Sequence, residues 1–258
     1  MTSLPEEVLR IFTEEQDFVI KPTKTVISMS NLSTLLPIQP SVLDNSYTVQ
    51  NAREVAVHPS ATSIPKRLID ILGALVGLGA TAVVTIPVAL AIALDNPGPI
   101  FYSQTRCGLN GRTFKIWKFR SMVTGAERLK HLVNNEASGH IFKNENDPRI
   151  TRVGKFLRRT SLDELPQFWN VLRGEMSLVG TRPPTQDEVK QYSSHHWERL
   201  NVKPGITGEW QANGRSSVKD FEDIVRMDVD YQRKWSVAYD INLILKTLKV
   251  VLNKSGAC

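Results

Sequence analysis

Apolar and polar positions are distributed unevenly along this chain. Through residues 1 to about 63, short apolar pieces (VLRIF, FVI, VISM) alternate with Pro, Ser, Thr and Asn, and no segment holds a helical or strand period for long. That stretch reads as a weakly ordered polar extension or small adaptor, to which the sequence assigns no function. The pattern changes at Ile71. "ILGALVGLGATAVVTIPVALAIAL" runs to Leu94 without a charge, where a bilayer span needs about 20 apolar residues. We read residues 64–96 as a membrane helix, with a buried soluble helix as a distant second. Lys66 and Arg67 precede it and Arg106, Arg112, Lys115, Lys118 and Arg120 follow, so both ends favour the cytoplasmic side. Pro87 lacks an N–H and crowds the preceding turn, costing about 3 kcal/mol or more in an ordinary helix interior. Two topologies fit: a helix broken at Pro87 that returns to the face it entered, and a kinked single span.

Beyond residue 96 the periods shorten and mix. "GPIFYSQTRCGLNGRTFKIWKFRSM" predicts a β-hairpin around Asn110-Gly111, a dipeptide suited to a type I′ turn. Residues 125–133 read as helical and "NENDPRI" as a loop. Basic residues recur at Arg152, Lys155, Arg158 and Arg159, and Leu162, Leu165, Trp169 and Leu172 then form one helical stripe with Phe168 beside it. The tail places Ile241, Ile244, Leu245, Leu248 and Leu252 on one face with lysines largely elsewhere, which suits an interfacial helix and also a core helix. The expected fold class is therefore α/β: a small membrane-associated domain with a membrane helix, a β-hairpin and interfacial amphipathic helices.

Composition narrows the partners. The net charge of +6 and a sequence pI near 9.3 point to anionic partners such as nucleic acid, phosphorylated substrates or lipid. Cys107 and Cys258 make no disulfide framework, and the N-terminus has no signal-peptide pattern.

Asp163 and Glu164 stand side by side in "TSLDELPQFWNVL". Ser161 with Glu164 three residues on matches a capping box, so helix capping alone could explain both acids. Adjacent carboxylates among arginines also suit phosphoryl chemistry: arginine forks grip phosphate, and a carboxylate can hold Mg²⁺ or attack phosphorus. Other constellations are weaker. Asp228 and Asp230 lie two apart in an amphipathic pattern and so diverge on a helix. His195-His196 has no ligand-spaced partner and reads as surface polar sequence. No complete P-loop is present.

Four stretches together resemble a known family: "PKRLIDILGA", "DNPGPIFYSQTRCGLNGRTFKIWKFRSM", "DPRITRVGKFLRRTSLDELPQFWNVLRGEMSLVGTRPP" and "LNVKPGITGEWQANGR". In this order they resemble the bacterial sugar transferases, monotopic phosphoglycosyl transferases that load a sugar phosphate onto polyprenol phosphate. The resemblance covers about three quarters of the chain, from Pro65 to Cys258. It implies Asp163 as nucleophile and Glu164 as Mg²⁺ ligand with Asp163 beside it. It implies Arg158 and Arg215 at the phosphates or sugar nucleotide, with Lys118 and Arg120 supporting the anionic site. Arg182 matches the arginine of a Pro-Arg-Pro element near the nucleotide, although Thr181 stands where many members have proline. Ile86-Pro87 likewise replaces a frequent Ser-Pro at the membrane bend, leaving hydroxyl support to a neighbour such as Thr85.

The resemblance further implies a re-entrant helix at 64–96 with both ends cytoplasmic and a cytoplasmic catalytic domain at 97–258. It implies a short-form enzyme whose residues 1–63 are an unrelated polar extension. The expected reaction transfers a hexose 1-phosphate, glucose or galactose favoured, from a UDP-sugar to undecaprenyl phosphate, releasing UMP and initiating extracellular or capsular polysaccharide synthesis. The expected setting is the cytoplasmic face of the bacterial inner membrane, with membrane lipid as a partner, no nucleic acid, and homo-oligomerisation left open. A membrane-anchored nucleic-acid binder would explain the charge but not the acid pair, and no nucleic-acid-binding motif is present. A scaffold for polysaccharide assembly would need only the membrane segment and the extension.

Overall fold

The computed structural model describes residues 57–142, 144, 146–213, 218 and 220–252. The extension, apart from its last few residues, and Arg215 lie outside them. The uncharged run forms most of one long helix. A short helix α1 (Pro59–Thr62) is capped by His58, whose other ring nitrogen meets the Gln232 carbonyl at 3.0 Å. Helix α2 (Ile64–Asp95) then starts where the Lys66 N–H donates to Ser63 Oγ, with Pro65 in its first turn, where the missing donor costs nothing. One stripe of α2 is buried: Lys66, Asp70, Ala74, Gly77, Thr81, Val88 and Ile92. On the other side Leu72, Val76, Val83, Ile86, Leu90 and Leu94 are each more than 60% exposed. Only 22% of its most apolar window is buried, where the core helix of a soluble domain would be mostly buried. The helix is long and apolar enough to cross a membrane, and it continues without interruption through Pro87. Thr81 and Thr85 donate to the carbonyls of Gly77 and Thr81 at 2.7 and 2.6 Å, back-bonding of the kind that bends helices, just ahead of Pro87.

Both ends of α2 are fastened to the same globular unit. At its start Lys66 Nζ lies 2.6 Å from Asp240 Oδ2, both buried, and Tyr231 Oη and Trp235 Nε1 donate to the same carboxylate. At its end Asp95 accepts the Val153 N–H at 2.9 Å. Between them the helix packs at Gly77, where a Cβ would stand 2.3 Å from the Phe168 ring. Ala74 packs with Ile116, Val171 and Met176, and Val88 and Ile92 with Phe119 and Leu157.

Strands β1 (Phe101–Cys107) and β2 (Thr113–Phe119) pair antiparallel, from Phe101 opposite Phe119 to Cys107 opposite Thr113. Asn110 and Gly111 both have positive φ (52° and 76°), and the Arg112 N–H returns to the Leu109 carbonyl, the geometry of a type I′ turn. Residues 125–133, where a helical pattern is expected, form a chain of i to i−3 bonds ending in a 3₁₀ turn at Lys130–Leu132, tighter than an α-helix. A second, parallel pair joins β3 (Ser177–Val179) to β4 (Gly205–Thr207). Beyond a short helix α6 (Glu209–Asn213), helix α8 (Val237–Leu252) near the C-terminus buries Asp240 and Leu243, packs Ile244 against the Val179 and Tyr231 cluster and leaves Ile241, Leu245 and Leu248 outward, so most of the expected apolar face points away from the core.

Candidate active site

Helix α3 (Arg152–Arg159) begins where the Gly154 N–H donates to Thr151 Oγ at 3.0 Å. Gly154 lets it lie against Ser121: a Cβ there would stand 1.9 Å from the Ser121 carbonyl oxygen. One turn on, Arg158 Nε donates to Ser121 Oγ at 2.9 Å, so the basic helix is keyed to the end of β2.

The acid pair follows in a turn unlike the one expected. Ser161 adopts a left-handed conformation (φ 58°) and its side chain makes no capping bond. Leu162–Gln167 is a 3₁₀ segment, and an α-helix, α4 (Phe168–Arg173), starts only after Pro166. The capping box is elsewhere, between Thr185 and Glu188 at the start of α5 (Gln186–Val189). Three residues per turn instead of 3.6 also rotate the apolar stripe. Phe168 takes the inward place against α2, and Trp169 is 46% exposed. Thr81 Oγ reaches the Leu165 carbonyl at 3.3 Å, so the turn is docked on the long helix.

Asp163 is buried, 6% exposed, and with Glu164 lines a cavity of about 510 Å³, a volume suited to a small ligand. Seven basic side chains line it against five acidic ones, a balance that favours an anion. Lys118 Nζ donates to Glu164 Oε1 at 2.9 Å. Arg158 and Arg182 both face the cavity, and Arg182 Nη1 lies 3.5 Å from Glu188 Oε2. Thr181, at the departure from proline, is buried and donates to the Arg199 carbonyl at 3.0 Å, which fixes the backbone beside Arg182. Arg120 borders the cavity too, but its terminal nitrogens turn to Asn96, Pro97 and Thr124, bracing the end of α2 against the end of β2.

The cavity contains residues that sequence reasoning passed over. Arg106, counted only as a membrane flank, donates through Nη1 to the Pro183 carbonyl, and its buried Nε has no hydrogen-bond partner. Burial and the neighbouring Arg182 charge pull its pKa down to about 10. Tyr102 and Gln104 both donate to Glu127 Oε1, at 2.7 and 2.8 Å, and burial followed by Glu127 raises the Tyr102 pKa. In the "NENDPRI" loop Asp147 and Arg149 form a buried pair with Nη2 to Oδ2 at 2.6 Å. Burial pushes the Asp147 carboxyl up, but the Arg149 bonds and charge prevail and hold it below the usual range. Helical or alternating periods cannot reveal these residues, because their convergence depends on loops crossing between elements.

Two adjacent carboxylates lining a small cavity are a hard oxygen donor set of the kind Mg²⁺ takes. Asp228 and Asp230 do diverge: Asp228 is fully buried against Arg199 Nε at 2.7 Å, and Asp230 faces Arg233 at 3.7 Å on the surface. His195-His196 departs from expectation, because both rings meet Glu222 from a distant helix.

A family model described as bacterial sugar transferase matches residues 61–254. Over 196 residues the chain is 54% identical to the galactosyl transferase CpsE of Streptococcus agalactiae serotype III (strain NEM316), covering 75% of this chain and 43% of that protein. It is 42% identical over 199 residues to the UDP-glucose:undecaprenyl-phosphate glucose-1-phosphate transferase of Escherichia coli (strain K12), covering 74% and 41%. The chain thus spans less than half the length of these two relatives. The exopolysaccharide production protein ExoY of Rhizobium meliloti (strain 1021) is 38% identical over 208 residues, covering 78% of this chain and 91% of ExoY. The quoted motifs, the acid pair in a basic cavity beside an apolar helix, and a match over three quarters of its length agree: the chain belongs to the bacterial sugar transferase family.

Proposed function

We propose that this protein transfers a hexose 1-phosphate from a UDP-sugar to undecaprenyl phosphate, releasing UMP, at the cytoplasmic face of a bacterial inner membrane. Glucose and galactose are the favoured hexoses, since relatives named for each share 42% and 54% of matched positions with this chain. The observation that carries the reading is the buried Asp163 beside Glu164 in a cavity lined by Lys118, Arg106, Arg158 and Arg182. Asp163 Oδ attacks the β-phosphorus. A P–O bond forms to the carboxylate, the bond to the bridging oxygen breaks, and UMP leaves with that oxygen. A phosphate oxygen of the polyprenyl phosphate then attacks the same phosphorus, releasing the carboxylate and yielding the polyprenyl diphosphate-linked sugar. Glu164, with Asp163 beside it, would hold Mg²⁺, which supplies charge neutralisation at the diphosphate. Lys118 orients Glu164, and Arg158 and Arg182 meet the phosphate oxygens; the same role for Arg215, which lies outside the described residues, rests on the family resemblance alone.

The helix reading follows the same line. Both ends of α2 bind one globular unit, through Asp240 and Val153, which supports a monotopic, re-entrant helix bending at Pro87 with its exposed apolar face in lipid. The test of the chemistry is UMP release by purified protein with undecaprenyl phosphate and a panel of UDP-sugars. Ping-pong kinetics are expected, along with radiolabel bound to wild-type protein when acceptor is omitted and none on Asp163→Asn. Intersecting double-reciprocal plots with no labelled protein would mean direct displacement, and Asp163 would lose its role as nucleophile.

A further inference from the structure

His195, His196 and Glu222 lie outside the catalytic cavity and converge from two separate parts of the chain. His196 opens a 3₁₀ turn (His196–Leu200), and Glu222 sits in the first turn of α7 (Phe221–Lys234). His195 Nε2 is 3.0 Å from one carboxylate oxygen and His196 Nε2 is 2.8 Å from the other. One potential ligand atom from each residue lies within 4.8 Å of the other two. Zinc bonds of about 2.0–2.1 Å in a tetrahedron place ligand atoms about 3.4 Å apart, so each imidazole–carboxylate separation needs to lengthen by only about half an ångström to admit the ion.

We propose that these three side chains form a zinc site that ties the His196–Leu200 turn to the start of α7. Two imidazoles and a carboxylate suit Zn²⁺, whereas Mg²⁺ prefers an all-oxygen set, so this site and the acid pair select different ions. Ser193 supplies the outer contact. Its Oγ lies 2.9 Å from His195 Nδ1 and 3.0 Å from His196 Nδ1, close enough to accept from both. With Nδ1 protonated on each ring, both Nε2 lone pairs face the carboxylate, the tautomer metal binding requires. Without the ion the same atoms settle as hydrogen bonds, with the Ser193 N–H donating to His196 Nδ1 at 3.1 Å. That one bond is given up on binding. His196 is buried while His195 and Glu222 are more than half exposed, so the fourth coordination position opens to water. The sequence concealed the trio because Glu222 lies 26 residues beyond His196.

The experiment uses the full chain without an affinity tag, in buffer containing Mg²⁺, and titrates Zn²⁺ against a competing chelator and Co²⁺ by visible absorption. One Zn²⁺ per chain is expected, with a rise in melting temperature and the intense d–d bands of four- or five-coordinate Co²⁺. Glu222→Gln and His195→Ala change surface positions and should weaken binding at least about tenfold, and Ser193→Ala about 10- to 100-fold. UMP release with Mg²⁺ alone should not change in these variants. Absence of stoichiometric Zn²⁺ binding, or wild-type affinity in both Glu222→Gln and His195→Ala, would overturn the proposal and leave the trio as a hydrogen-bonded cluster.

Discussion

Gly154 offers a test in which two physical effects have opposite signs. In a helix interior, alanine is favoured over glycine by about 0.8–1.0 kcal/mol. Here the new methyl would stand 1.9 Å from the Ser121 carbonyl oxygen, about 1.1 Å inside the 3.0 Å below which Cβ contacts are essentially never found. The opposing atom is backbone, and it also accepts the Thr151 N–H at 3.2 Å, so it cannot swing aside as a side chain would. Overpacking of this kind costs about 1–3 kcal/mol and sometimes more. A contact this short belongs at the upper end, which leaves Gly154→Ala net destabilising by about 2 kcal/mol after the propensity gain. For a domain of this size that lowers the melting temperature by about 4–8 °C. Because α3 must move away from β2, the Arg158 bond to Ser121 should loosen, and kcat/KM should fall in the same variant. Thermal unfolding in detergent with parallel UMP-release kinetics reads both effects. A variant as stable as wild type or more so, with normal turnover, would refute the close approach of α3 to Ser121.

Other outcomes follow from the same geometry. Arg158→Lys keeps the charge but loses the planar fork, and kcat/KM should fall about 5- to 150-fold, equivalent to about 1–3 kcal/mol. Asp228→Ala strands a buried guanidinium at Arg199 and should cost about 3–5 kcal/mol, read as loss of folded protein or a large drop in melting temperature. The folded Asp147 carboxyl titrates below its unfolded value, so its contribution is fully present above about pH 4 and is lost as pH falls through the lower folded pKa. Asp147→Asn should therefore lose less stability than wild type between pH 5 and pH 2 in a thermal-melt series. Cysteines at Thr62 and Arg112, in a Cys107→Ser and Cys258→Ser background, should both be shielded from an impermeant thiol reagent in intact cells. Labelling at only one would mean that α2 crosses the membrane.

What could be read from the sequence was mainly local. The uncharged run from Ile71 and the strand pair around Asn110-Gly111 depend on neighbouring residues, and periodicity reveals them. The acid pair was visible as chemistry but misplaced as geometry. Its S-x-x-E spacing matches a capping box, yet a left-handed Ser161 and Pro166 produce a 3₁₀ turn, and the box formed at Thr185 instead. The resemblance puts Arg120 in support of the anionic site, and only the packed structure sends its guanidinium to the end of α2. Arg106 and the Asp147–Arg149 pair line the cavity through loop crossings that leave no periodic trace.

The clamp between Lys66 and Asp240 bears on how the protein is made. Its partners are 174 residues apart, one at the start of α2 and one in α8, the last helix among the described residues. During synthesis the apolar helix emerges early and can enter lipid while the lysine remains hydrated, because its counter-ion does not yet exist. Burial of that ammonium must wait until residue 240 and the Tyr231 and Trp235 donors have been translated. On the proposed membrane reading, insertion of the helix would precede closure of the clamp. A ribosome-stalled chain ending before Asp240 should sit in the membrane yet remain open to protease around Lys66.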